Sequence, residues 1–273
     1  MADDPRDPIA AAVQRILENG ATALLVTLIE AATKIEAATN VGAKLLVETR
    51  ATTGSLGADD LNEAVARYAP DFLKTRDDVR SFKVQDILPG LTHWADAQLL
   101  FERIQPEPRL VICGAGHVGA SLARLASFTG YGVTLIDDRA ELLTRGLFPE
   151  ENIELIAAIT WQDAVREAIG NGHGVSVAVV TRGHNEDEAC LRAVTATEAD
   201  YIGLIGSKRR TNIVLDRLRQ AGVADEQLKK VHAPVGLDIG AVTPEEVSLA
   251  IMAEIVAVRR GGNGGSLSAW RRT

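Results

Sequence analysis

Three glycines at the spacing G-x-G-x-x-G, Gly114, Gly116 and Gly119, stand between an apolar run and a helical pattern. That spacing suits a backbone that wraps an anion. Gly114 permits a tight turn out of a strand, Gly116 lets the chain approach a pyrophosphate without a Cβ in the way, and Gly119 lets the next helix pack close. The free N–H groups at the start of that helix then face the anion. His117, inside the loop, either contacts a phosphate or another polar ligand or caps the helix. Asp137 and Asp138 lie about 20 positions further on, at the end of a second β-branched run, where a carboxylate accepts hydrogen bonds from ribose hydroxyls. Two later loops are also polar. One holds Thr181, His184 and Asp187; the other holds Gly206, Ser207, Lys208, Arg209 and Arg210. Cations are disfavoured by the dipole at a helix N-terminus, so their clustering there reflects either an anionic ligand such as a phosphate or a solvated basic face. His184 either pairs with Asp187, one helical turn away, or faces water. His232 and Asp238 reach the same crevice if their loop folds back, and otherwise belong to a connecting turn.

The elements that must position these residues follow from the apolar pattern. Leu110 to Cys113 reads as a buried strand, Val118, Leu122 and Leu125 recur at helical spacing, and Val133 to Ile136 reads as the next strand. The alternation continues through strands at Ile153 to Ala157, Val175 to Val180 and Tyr201 to Ile205, with helices at Trp161 to Ile169, Glu186 to Thr195 and Ser207 to Gln220. The run from Val175 to Val180 has no polar face, as a parallel strand covered on both sides requires. The last helix opens on Thr243-Pro244-Glu245-Glu246, a capping box with proline in the first turn. The expected fold class is α/β: a Rossmann-like, doubly wound parallel sheet over residues 109–260, with a smaller N-terminal α+β domain over 1–68. Residues 69–108 read as a connector in which Trp94 to Ile104 is helical. Residues 261–273 form a Gly/Ser-rich basic tail, expected to be flexible. In such a sheet the ligand crevice lies outside the carboxyl ends of the strands, which is where the polar loops converge.

Bulk composition narrows the function classes. A net charge of −8 argues against general nucleic-acid or anionic-membrane binding, and 4% aromatic content leaves little for base stacking. The acidic start has no signal-peptide core, and no apolar run reaches transmembrane length. Two cysteines imply a reducing compartment and no disulfide framework, so a cytoplasmic protein is expected. Cys113 packs in a strand and Cys190 sits in a helix. No Cys/His cluster has zinc spacing, so no metal site is expected, and spacing alone assembles no nucleophile, base and acid.

Taken together, GAGHVG, the strand-end Asp-Asp-Arg, T-x-x-H-x-x-D at Thr181, His184 and Asp187, YIGLIGSKRR, and HAPVGLDIGAVTPEEVSLAIMAEIVAVRRG resemble the XdhC/CoxI family, the xanthine dehydrogenase accessory factors. The resemblance covers residues 109–262. It implies a maturation factor for molybdenum hydroxylases that binds molybdenum cofactor (molybdopterin, a pterin with a phosphate and a dithiolene-held metal). It further implies that the protein promotes sulfuration with a cysteine desulfurase, delivers the cofactor to a client enzyme and forms a homodimer. Gly114, Gly116, His117 and Gly119 would cradle phosphate, Asp137, Asp138, Thr181 and His184 would line the ligand, and Gly206 to Arg210 would balance its charge. The N-terminal part is similar but altered. GAKLLV at 42–47 and GSLG at 54–57 match, yet Asp60 stands where the family has a cysteine, and Glu36-Ala37-Ala38-Thr39 replaces a Ser-Ala-Pro-Arg-type segment. Arg182 and Gly183 replace a usual His and Asp. A thiolate suits molybdenum or sulfur transfer, and a carboxylate suits neither. The same fingerprint also suits an oxidoreductase using NAD or NADP with His184 as proton donor, and a ligand-free scaffold is a third reading.

Overall fold

The computed structural model describes residues 7–31, 41–75, 77–170 and 172–268. The leader before residue 7, the altered segment at 36–39 and the last residues of the tail lie outside them. The chain divides into two compact units, residues 1–106 and 107–273.

The first unit runs α1 (Pro8–Glu18), β1 (Ala23–Glu30), β2 (Lys44–Val47), β3 (Thr52–Ser55), α2 (Asp59–Leu73), β4 (Val79–Lys83), α3 (Val84–Ile87), a 3-10 turn (Thr92–Trp94) and β5 (Gln98–Ile104). Its five strands form an antiparallel sheet in the order β3-β2-β1-β5-β4. Leu61, Val65 and Phe72 of α2 pack on Leu24, Val26, Leu99 and Phe101 of that sheet. Ala12 and Ile16 of α1 cluster separately with Ala23 and Leu46.

Two expectations are corrected here. The stretch at 94–104 is not helical. Leu99 and Phe101 are fully buried and alternate with half-exposed neighbours, a period of two, and β5 pairs with β1 on one side and β4 on the other. The stretch at 69–108 is therefore not a connector up to Ile104, since it supplies the end of α2 and two strands of the sheet. The GSLG segment begins in β3, where Gly54 and Ser55 lie opposite Leu45 and Lys44.

The second unit runs β6 (Arg109–Cys113), α4 (His117–Phe128), β7 (Gly132–Asp137), β8 (Ile153–Ala157), α5 (Trp161–Ile169), β9 (Val175–Val179), α6 (His184–Val194), β10 (Tyr201–Leu204), α7 (Lys208–Gln220), α8 (Asp225–Leu228), β11 (Val231–His232) and α9 (Pro244–Arg260). The six strands are parallel, in the order β11-β10-β9-β6-β7-β8. Counted from β6, that is the 3-2-1-4-5-6 order of a dinucleotide-binding sheet, with its switch point between β6 and β9. One face is covered by α5, α6 and α7 through Val165, Leu191 and Val214; the other is covered by α4 and α9 through Leu122, Ile251 and Ile255. α9 carries the expected capping box, with Thr243 and Glu246 each bonding the other's backbone. Among the described residues no helix is long and apolar enough to cross a membrane.

Candidate functional site

The switch point is closed by glycine geometry. Gly114 has φ +115°, and a Cβ there would lie 2.7 Å from the carbonyl oxygen of Val180, so the turns after β6 and β9 touch. At Gly119 a Cβ would lie 1.8 Å from the Gly114 carbonyl oxygen, so the start of α4 rests directly on the turn below it. Gly116 differs, because a Cβ there meets nothing within 4 Å. It is the N-cap of α4 and no side chain caps that helix. The N–H groups of the first turn are thus left to whatever enters the open space above Gly116. His117 is exposed at the first position of α4 and does not cap it. It borders a cavity of about 280 Å³ shared with Ala115, Gly116, Arg124, Arg139 and Phe148. Arg124 lies over the Phe148 ring, 5.0 Å from its centroid, giving this cavity an apolar wall with a cationic edge.

The two aspartates at the end of β7 have different jobs. Asp137 is buried, and its carboxylate accepts from Ala115 N–H (2.6 Å), Arg139 N–H (2.9 Å), Arg139 Nε (2.8 Å) and Arg139 Nη2 (2.9 Å). Burial alone would raise its pKa, but these hydrogen bonds outweigh burial and hold the carboxyl at about 2. This corrects the expectation that Asp137 accepts from a ligand: both oxygens are committed to the glycine turn and to Arg139. Asp138, exposed at the strand end, is bound by Arg182 Nη2 at 2.8 Å.

Beyond β9 a second buried carboxylate organises the loops. Asp187 is fully buried in α6. It accepts from Thr181 Oγ1 at 2.6 Å and from Arg210 Nε at 2.8 Å, with Arg210 Nη2 also bonded to it and to Thr181 O. Burial pushes the Asp187 carboxyl up, against the lowering effect of Thr181 and Arg210. Thr181 and Arg210, expected to line a ligand, are turned inward to this carboxylate. Arg210 is therefore not a free cation for an anion. Lys208 and Arg209 are exposed beside it and have no ion-pair partner among the described residues. Ser207 caps α7, accepting from Arg210 N–H at 3.3 Å, and Gly206 precedes it. His184 is exposed at the start of α6, and the hydrogen bonds to Asp187 come from Thr181 and Arg210 instead.

The strand-end loops carry the residues that the sequence singles out, and the structure gives two of the cations there partners that the sequence does not name: Arg139 binds Asp137 and Arg182 binds Asp138. In the sequence Arg139 is only the last residue of the strand-end Asp-Asp-Arg and Arg182 only a departure from the family pattern, and neither spacing signals its carboxylate partner. His232 belongs to a different group: its ring lies on Tyr201, and Tyr201 Oη (2.5 Å) and Gly236 N–H (2.8 Å) donate to Glu254 of α9. Burial first, then Glu254, pushes the Tyr201 phenol up. Among the described residues no group of three or more His, Cys, Asp or Glu is placed to hold a metal ion.

In the N-terminal unit, Asp60 sits in the first turn of α2 and its Oδ2 is 2.7 Å from His93 Nε2. Cys113 and Cys190 are both fully buried in the other unit. Burial first, then the neighbouring Cys113 thiol, pushes the Cys190 thiol well up, so Cys190 offers no reactive thiolate.

A family model described as the XdhC Rossmann domain matches residues 110–255. The chain is 36% identical over 158 residues to an uncharacterized Escherichia coli (strain K12) protein, YqeB, covering 58% of this chain and 28% of that protein. It is 34% identical over 171 residues to a probable xanthine dehydrogenase subunit of Bacillus subtilis (strain 168), covering 62% of this chain and 49% of that protein. It is 26% identical over 155 residues to the molybdenum cofactor insertion chaperone PaoD of Escherichia coli (strain K12), covering 57% of this chain and 41% of that protein. The chain thus spans no more than about half the length of these curated relatives. Among solved structures, a xanthine dehydrogenase from Bacillus halodurans matches with a TM-score of 0.62 at 21% identity, covering 92% of this chain and 66% of that one, a likeness of fold.

Proposed function

The chain belongs to the XdhC family, and from that premise we propose that it is an accessory factor that holds molybdenum cofactor and assists its insertion into a molybdenum hydroxylase of the xanthine dehydrogenase type. The observation that carries the reading is the uncapped first turn of α4 over Gly116, where the backbone leaves open space beside a cavity of about 280 Å³. A phosphate fits that cradle by charge and by donor geometry. Gly114, Gly116, His117 and Gly119 form it. Lys208 and Arg209 supply unpaired positive charge, and Asp138, His184, Gly206 and Ser207 border the crevice. Asp137, Thr181 and Arg210 act indirectly, by fixing the glycine turn and the two loops beyond β9.

The cargo supplies a pterin-held metal to the client, and this chain's part is to bind, orient and release it. Sulfur carriage is not included in the reading. The family's cysteine position holds Asp60, and the two cysteines of this chain are buried. Any sulfuration would therefore draw on the persulfide of a cysteine desulfurase partner. A cytoplasmic homodimer acting on a hydroxylase client completes the proposal.

A second reading rests on the 3-2-1-4-5-6 strand order with an acidic second-strand end. It makes the protein an NAD(P)-dependent oxidoreductase with His184 as proton donor. Equilibrium titration with molybdenum cofactor, with NAD and NADP as competitors, separates the two. The first reading expects tight cofactor binding that dinucleotides do not displace and that Gly116→Val removes without changing the circular dichroism spectrum. Binding of dinucleotide alone, with hydride turnover, moves the protein to the second class. Unchanged cofactor affinity in Gly116→Val sinks the assignment of the cradle.

A further inference from the structure

One ion pair in the second unit joins loops that are not neighbours. Asp138 is the residue after β7 and Arg182 lies in the turn after β9, while β6 stands between those two strands. Parallel neighbours are spaced about 4.8 Å apart, so these strand ends are roughly 10 Å apart. Arg182 Nη2 nevertheless reaches Asp138 Oδ2 at 2.8 Å. To do so the guanidinium must cross the carboxyl end of β6, where Gly114 and Ala115 turn into α4. That is the line along which a phosphate-bearing ligand, seated on the glycine turn, would run from the β7 side of the crevice to the β9 side.

The charges around the pair keep it exchangeable. Arg182 Nε is 3.7 Å from Glu186 Oε1 on the helix that follows it, and Asp138 Oδ1 is 3.9 Å from Arg139 Nε. The side chains of Arg182 and Asp138 retain 48% and 33% of their exposure. Ion pairs this wet hold weakly. A phosphate presents the same guanidinium with charge-assisted, bidentate acceptors. Asp137, one residue earlier, cannot take Asp138's place, because its oxygens are already filled.

We propose that the Arg182–Asp138 pair is an exchangeable strap across the crevice, and that Arg182 is the side chain that selects anionic ligands there. When a phosphate or pyrophosphate group settles on the glycine turn, Arg182 leaves Asp138 for it. The freed Asp138 carboxylate then accepts hydrogen bonds from the ligand's hydroxyl or amino groups. In the empty crevice each member occupies the other and keeps both charges neutralised. The proposal rests on the reading of the glycine turn as an anion site and adds to it a residue and an order of events.

The test is calorimetric titration of the full chain with inorganic pyrophosphate, comparing wild type with Arg182→Gln, Asp138→Asn, the double variant and Gly116→Val, each checked for an unchanged thermal transition. Arg182→Gln is expected to weaken binding about tenfold. Asp138→Asn is expected to tighten it severalfold by releasing Arg182. In the double variant that gain should vanish, because the competing carboxylate matters only while Arg182 is present. An equal gain from Asp138→Asn with and without Arg182 would mean plain charge repulsion and would overturn the strap. Binding that ignores Gly116→Val would locate the anion elsewhere and overturn the reading of the cradle together with the strap. A wild type that binds no pyrophosphate does the same, whereas normal cradle behaviour with no change in Arg182→Gln removes the strap alone.

Discussion

Replacing Arg210 with Met tests how the loops beyond β9 are held. The substitution deletes both guanidinium bonds to Asp187 and the one to Thr181 O, leaving a fully buried carboxylate with Thr181 Oγ1 as its remaining hydrogen-bond donor among those the structure gives it. Breaking a buried pair in this way costs roughly 3–5 kcal/mol, because the desolvated charge remains. The loss should depend on pH with a definite sign. Burial already raises the Asp187 carboxyl above its ordinary value with Arg210 in place, so the folded state binds the proton more tightly than the unfolded chain. Stability therefore falls as pH rises from the unfolded value to the folded one, by up to about 1.4 kcal/mol per pH unit. Without Arg210 the folded value climbs further, and that falling limb extends to higher pH. Urea unfolding of wild type and Arg210→Met at pH 5 and pH 8 should show the smaller difference at pH 5. Asp187→Leu combined with Arg210→Met should regain most of the loss, since no charge is then buried. A loss below about 1 kcal/mol, or one equal at both pH values, would refute the placement of a buried, charge-dependent pair here.

Asp137 has the opposite sign. Its carboxyl is held at about 2 against an ordinary 3.8, so it stabilises the fold by about 2 kcal/mol above pH 4, a share lost as pH falls from about 4 to about 2. Acid unfolding of Asp137→Asn should lack that share of the slope, and an unchanged acid limb would count against the clamp on Ala115. Gly119→Ala forces a Cβ to within 1.8 Å of the Gly114 carbonyl and should lose about 1–3 kcal/mol or more, whereas Gly116→Ala opens into empty space and should lose less than about 1 kcal/mol. Thermal melts of the two variants check the contrast, and equal losses would contradict the distinction between packing glycine and cradle glycine.

The βαβ unit was legible because every level agreed: an apolar strand, glycines at fixed spacing, a helical stripe and an acidic strand end, in that order. The run from Val175 to Val180 was legible for a related reason, since a strand buried on both faces needs no pattern beyond β-branched apolar residues. β5 was not, because its signal is only two buried residues, Leu99 and Phe101, preceded by a tryptophan that mimics a helical stripe. β4 is harder still. Phe82 is half-buried while its strand neighbours are exposed, as an edge strand allows. The site shows the same limit. Sequence spacing places Asp137 and Asp138 at one strand end on opposite faces, but which of them faces inward depends on how α4 turns over β6. The partner of Arg182 lies 44 positions away and is set by strand order, which no local pattern encodes.

The hydrogen bond from Ala115 N–H to Asp137 has a thermodynamic consequence. Phosphate loops that are mobile when empty surrender conformational entropy each time they close on a ligand. Here that surrender is made once, at folding, because Arg139, Asp137, Ala115 and the Val180 contact fix the turn before anything arrives. Association should then proceed as a docking of preformed surfaces, with little loop ordering to slow capture or to weaken it. Under the role proposed above, such a cradle leaves the control of release to the side chains at its rim.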